Sequence, residues 1–133
     1  MSVPESNYGA WLAKAQNDFL NIENNLRANR IPWDTVCFHA QQAAEKLLKA
    51  FLIYHGRPLL RTHDLVALLG RCVEISVSLI SLEDDCRKLS YFAVASRYPD
   101  DLYLPDEKDA RELIAAAQRV QNQILACLPP HNA

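Results

Sequence analysis

Glycine is scarce in this chain of 133 residues, with three in all, and no Cys-x-x-Cys pair, cluster of basic residues or long apolar run interrupts it. Each absence narrows the field. No stretch reaches the roughly 18 consecutive apolar residues of a membrane span, so the sequence does not read as a membrane protein. Met1 to Trp11 lacks the basic patch and apolar run of a signal or transit peptide, which makes the cytoplasm the expected location. Fourteen Lys and Arg against 16 Asp and Glu leave a formal charge of −2, so no long-range field draws the chain to nucleic acid. Any nucleotide or RNA contact must then be local, through a few positioned side chains. The four cysteines, Cys37, Cys72, Cys86 and Cys127, stand far apart among apolar residues and fit buried reduced thiols in helices better than disulfides or a zinc site. The spacing of the histidines and cysteines calls for no metal, and nothing in the sequence asks for a cofactor.

Half of the residues are apolar, and a chain of this length is one domain, 1–133, with a core over about 7–128. Folding at this size buries roughly two-thirds of the surface exposed by the unfolded chain. Trp11, Ala15, Phe19, Ile22 and Leu26 recur with helical spacing and set a first helix from about Asn7 to about Asn29. A second runs from about Asp34 to Gly56 on Val36, Cys37, Ala40, Ala43, Ala44, Leu47, Leu48 and Phe51. Its second half is apolar nearly all round and should be central. Thr62 caps a third helix, with Asp64 in its first turn, carrying Leu65, Leu68, Leu69, Cys72 and Val73. Residues 74–81 alternate as a strand would, but an isolated strand has no partner, and an irregular turn is expected. Ser81 and Asp84 form a capping box for a fourth helix on Leu82, Cys86, Leu89, Phe92 and Ala93, stopped at Arg97-Tyr98-Pro99. Asp106 caps a fifth, Glu107 to Leu128. The expectation is an all-α, up-and-down antiparallel bundle of four to five helices. Apolar surface around Phe51, Ile53 and Tyr54 exceeds what one small bundle can hide and points to a symmetric homodimer.

Three clusters are polar where a bundle does not require it. His39, Gln42 and Lys46 share one face of the second helix, although with Glu45 and Lys49 they also read as a solvated face with routine surface charges. Arg61-Thr62-His63-Asp64 opens a helix, where free N–H groups and positive charge could hold an anion, or where Thr62 is an ordinary cap. Ser96-Arg97-Tyr98-Pro99-Asp100-Asp101 ends a helix with an Arg that either meets a ligand or pairs with a neighbouring Asp.

Taken in order, Cys37-Phe38-His39-Ala40-Gln41-Gln42-Ala43-Ala44-Glu45-Lys46-Leu47-Leu48-Lys49-Ala50, then Arg61-Thr62-His63-Asp64-Leu65, then Ser96-Arg97-Tyr98-Pro99-Asp100, resemble the HEPN domain (higher eukaryotes and prokaryotes nucleotide-binding), over about Trp11 to Leu125. The resemblance implies a dimerising helical bundle, often working beside a minimal nucleotidyltransferase in toxin–antitoxin-like systems. Some members are metal-independent ribonuclease toxins and others are non-catalytic nucleotide- or RNA-binding modules. The nucleases use an Arg followed after four to six residues by a His, the Arg holding the scissile phosphate and the His acting as base toward the ribose 2′-hydroxyl.

This sequence departs from that motif. Arg97 is followed at the relevant distance by Asp101, Leu102, Tyr103 and Leu104, with no His. The string Arg57 to His63 satisfies the spacing but lies in the loop after the second helix, away from the late helix where the motif belongs. The expected function is therefore a non-catalytic binding module. Its ligand candidates are Arg97, Tyr98, His63, Asp64, Arg61, His39, Gln42 and Lys46, with no catalytic residue assigned. A ribonuclease pairing Arg97 with His63 or His39, and a ligand-free helical scaffold, are the alternatives.

Overall fold

The computed structural model describes residues 7–95 and 104–130, which form five α-helices: α1 Tyr8–Leu26, α2 Trp33–Tyr54, α3 Leu65–Ile75, α4 Glu83–Ala95 and α5 Glu107–Ala126. No strand occurs among the described residues. The stretch 74–81 is instead the end of α3 followed by a 3-10 turn, Val77–Leu82, which buries Leu79 and Leu82. Their spacing of three matches the three-residue period of that turn, whereas Val77 and Ile80 of the alternating pattern are exposed.

Local chemistry sets the helix ends. The Asn7 side chain accepts a hydrogen bond from the Gly9 N–H at 2.9 Å and opens α1, which stops at Leu26, three residues short of the expected end. At the far end of α2, the Gly56 N–H donates to the Ile53 carbonyl and the Arg57 N–H to the Leu52 carbonyl, with Gly56 at φ +73°. This paired closure satisfies the last carbonyls of α2 and requires a residue at ease in the left-handed region. Asp64, not Thr62, caps α3: its side chain accepts from the Val66 and Ala67 N–H groups, while the Thr62 hydroxyl accepts from the Asp64 N–H. The capping box expected of Ser81 and Asp84 is also corrected. Ser81 Oγ bonds back to the Ser78 carbonyl and across to Gln123, and α4 starts two residues later. Asp106 does cap α5, in a reciprocal box with Asp109.

Helix α2 packs against each of the other four. Ala40, Ala43, Ala44 and Ala50 are fully buried along it, and such small side chains let neighbouring helix axes approach closely. The Tyr8 ring lies 4.9 Å from the Tyr54 ring, so the start of α1 meets the end of α2 and the two run antiparallel. Ser81 on Gln123 and Asp85 on Arg119 place the start of α4 beside the second half of α5, again antiparallel. Phe51 is buried in this core, so of the three residues expected to face a second copy only Ile53 and Tyr54 reach the surface. Cys37, Cys72 and Cys86 are buried, whereas Cys127 is exposed just beyond α5 and corrects the expectation that all four would be hidden.

Three outcomes are expected. Burial pushes the Cys37, Cys72 and Cys86 thiols from 9.0 up to about 12, so a thiol reagent at pH 8 should titrate Cys127 at once and the other three only on unfolding. Because these folded-state values are raised, the stability they contribute is complete below pH 9 and lost as pH rises toward about 12, which alkaline denaturation curves will show. At Gly56 an added Cβ would meet nothing within 4 Å, so Gly56→Ala should cost only the backbone term, about 1–2 kcal/mol in urea unfolding.

Candidate functional site

Asp18 lies in the middle of the apolar stripe of α1, seven residues after Trp11 and four before Ile22. Carboxylates in such places are rarely left unpaired. Its Oδ1 sits 2.8 Å from His39 Nδ1 and its Oδ2 2.6 Å from Lys46 Nζ, both on α2. The Asp18 side chain is 6% exposed and those of His39 and Lys46 about a fifth exposed, so a buried carboxylate anchors two groups that still reach solvent.

Next to Lys46 on α2, Glu45 repeats the arrangement. Its Oε2 accepts from Lys49 Nζ at 3.0 Å, its Oε1 lies 2.9 Å from His63 Nδ1, and Gln41 Nε2 donates to the same Oε1 at 3.4 Å. Gln42 Nε2 donates to Gln41 Oε1 at 2.8 Å and continues the chain of contacts. Glu45, Gln41 and Lys49 are buried, whereas the His63 side chain is 64% exposed. Lys49 Nζ also lies 5.6 Å from the Trp11 ring centre, and Lys14 Nζ 4.9 Å from it. Among the described residues no buried side-chain nitrogen or oxygen lacks a hydrogen-bond partner.

The reading of Glu45, Lys46 and Lys49 as routine surface charges is therefore overturned, because α1 and the loop before α3 cover this face of α2. His39 and Lys46 meet as their helical spacing suggested, with Asp18 as the shared partner that the spacing could not supply. His63 joins the same face through Glu45. Gln42 reaches it only through Gln41, and Asp64 is committed to capping α3. Arg61 is exposed in the loop. Arg97 and Tyr98 lie outside the described residues. Asp18, Glu45, Lys49 and Gln41 were missed from sequence, although a carboxylate at the centre of an apolar stripe was a usable signal.

Both histidines use Nδ1 toward a carboxylate, so Nε2 is the nitrogen left to meet another group. The carboxylates of Asp18 and Glu45 stand against the ammonium groups of Lys46 and Lys49, so the cluster carries little net charge. It can present fixed donors to one small anion, but it is not a strongly positive surface. No group of three or more His, Cys, Asp or Glu side chains arranged to hold a metal ion occurs among the described residues.

Removing one partner of a buried ion cluster leaves charges without compensation, at about 3–5 kcal/mol. Asp18→Ala and Glu45→Ala should each lower unfolding free energy by about that much in urea titrations, whereas Glu107→Ala, at an exposed i,i+4 pair with Arg111, should cost no more than about 0.5 kcal/mol.

No described helix is long and apolar enough to cross a membrane. Comparison with known proteins gives no match among curated proteins and none among solved structures. A family model, described as the HEPN domain, matches residues 8–126. That span runs from the first residue of α1 to the last of α5 and takes in both carboxylate clusters, so the chain belongs to the HEPN domain family.

Proposed function

We propose that this chain is a non-catalytic nucleotide- or RNA-binding module that takes a phosphate on the face formed by α1, α2 and the loop before α3. The observation that carries the reading is the pair of buried carboxylates: Asp18 and Glu45 hold His39, Lys46 and His63 in fixed positions while each keeps a side reaching solvent. Donors fixed in place lose less entropy on binding than free surface chains, which favours a small ligand even where net charge is low. Family membership supports a nucleotide- or RNA-related role. The absence of a His four to seven residues after Arg97 supports binding over cleavage. In this reading the module works as a cytoplasmic homodimer beside a nucleotidyltransferase, in a toxin–antitoxin-like system, with Arg97 and Tyr98 contributing to the same cleft.

A second reading is favoured by one contact. In Glu45–His63 a carboxylate orients an imidazole whose other nitrogen faces outward, which is the arrangement of a general base, and Arg97 would then hold the phosphate of a metal-independent ribonuclease.

Two measurements separate these readings. With adenosine monophosphate and a short single-stranded oligoribonucleotide as probes, Lys46→Ala and His63→Ala should each weaken binding about tenfold, the loss of one charge-assisted contact. Unchanged affinity in both variants, with the helical circular dichroism intact, sinks the site. Expression of the chain alone should leave growth normal. Growth arrest, together with RNA cleavage in EDTA that His63→Ala abolishes, establishes the ribonuclease instead.

A further inference from the structure

The closure of α2 at Gly56 turns the chain so that Arg57, Pro58 and Leu60 fold back toward Leu52 and Arg71. These five residues line a cavity of about 140 Å³. Leu52 is buried and Leu60 packs against the core, so the inner wall is apolar. Arg57 and Arg71 complete the lining. Each lies near the same carboxylate, Arg57 Nη1 at 3.9 Å and Arg71 Nη1 at 3.8 Å from opposite oxygens of Glu74.

Those separations exceed hydrogen-bond reach. Among the described residues neither guanidinium makes another polar contact, so both arginines line the cavity, about half exposed, with donors committed only to a long-range pairing with Glu74. Two planar forks around one carboxylate suit bidentate recognition, which a lysine pair would not provide. An apolar cavity of about 150 Å³ takes one benzene ring. The size of the cavity and the two forks thus specify complementary halves of one ligand.

We propose that this cavity is a binding site for a carboxylate that carries one ring-sized apolar group. The apolar group enters against Leu52, Pro58 and Leu60, and the carboxylate lies between Arg57 and Arg71, displacing Glu74 from its loose position. The same chemistry is offered by a free aromatic acid and by the C-terminal carboxylate of a peptide ending in Phe. The site shares no residue with the face around Asp18 and Glu45, so it stands or falls independently of the function proposed above.

The test uses the full chain, isotopically labelled, followed by heteronuclear NMR. Benzoate is the first probe, and acetyl-Gly-Gly-Phe with a free carboxylate is the second. Benzamide and the amidated peptide are the uncharged controls. Saturable shifts of the Leu52 and Leu60 methyl signals are expected with the acids and not with the controls. Arg57→Gln and Arg71→Gln should each weaken binding about fivefold or more, and Glu74→Gln should tighten it about threefold, because the competing carboxylate is gone. Tighter binding of benzoate identifies a free acid as the occupant, and tighter binding of the peptide identifies a chain terminus. No saturable shift at Leu52 and Leu60 with either acid, or binding that survives both arginine substitutions, overturns the proposal.

Discussion

Two carboxylates placed inside a hydrophobic contact determine how this bundle is put together. Asp18 and Glu45 lie where apolar side chains would be the simplest filling, and their desolvation is offset only if α1, α2 and the loop before α3 meet in one register. Asp18 fixes α1 against two points on α2 separated by two helical turns. Sliding α1 along α2 by one turn would strand the buried Asp18 carboxylate away from both His39 and Lys46. Apolar packing between the same helices would tolerate such a slip far better, because Leu12, Ala15 and Ile22 could find comparable neighbours. The ion clusters thus supply specificity of docking more than net stability.

The same interactions prepare the face that the proposed function uses. A lysine or histidine that reaches solvent from an unconstrained helix samples many rotamers, and each binding event must freeze them. Here Lys46 is held at 2.6 Å by Asp18, and His63 at 2.9 Å by Glu45. The cost of ordering is met during folding. The balance of charges also limits the ligand. With Lys46 and Lys49 matched by Asp18 and Glu45, a long polyanion gains little from the face as a whole, and a single well-placed phosphate gains most.

The helices were legible because their apolar residues repeat at three and four along continuous stretches, and Asp106 with Asp109 and Gly56 punctuate them with unambiguous local chemistry. Where two polar residues stood close together, sequence could not rank them: Thr62 and Asp64 both qualify as caps, and the choice fell to the one whose side chain reaches two N–H groups. Leu79 and Leu82 misled in another way, since a spacing of three inside a short run does not distinguish a 3-10 turn from irregular chain. The site was half visible. His39 and Lys46 announce a shared face by their spacing, but their partner Asp18 lies 21 and 28 residues earlier, and no local pattern encodes that distance. Glu45 and Lys49 look like an ordinary i,i+4 surface pair until α1 and the loop before α3 are laid over them.

The position of α2 at the centre of the bundle also has a consequence for synthesis. A ribosome delivers α2 early, with an apolar surface made to be covered by four neighbours, and only α1 is already present to shield part of it. α5, which packs directly on α2, emerges last. Throughout the translation of the roughly 50 residues between α2 and α5 the nascent chain therefore carries a partly exposed apolar flank, shielded first by α1 and then by α3 and α4 as they dock. The feature that makes the finished bundle compact makes its birth the moment of greatest exposure to aggregation, and slower decoding between α2 and α5 would lengthen that moment.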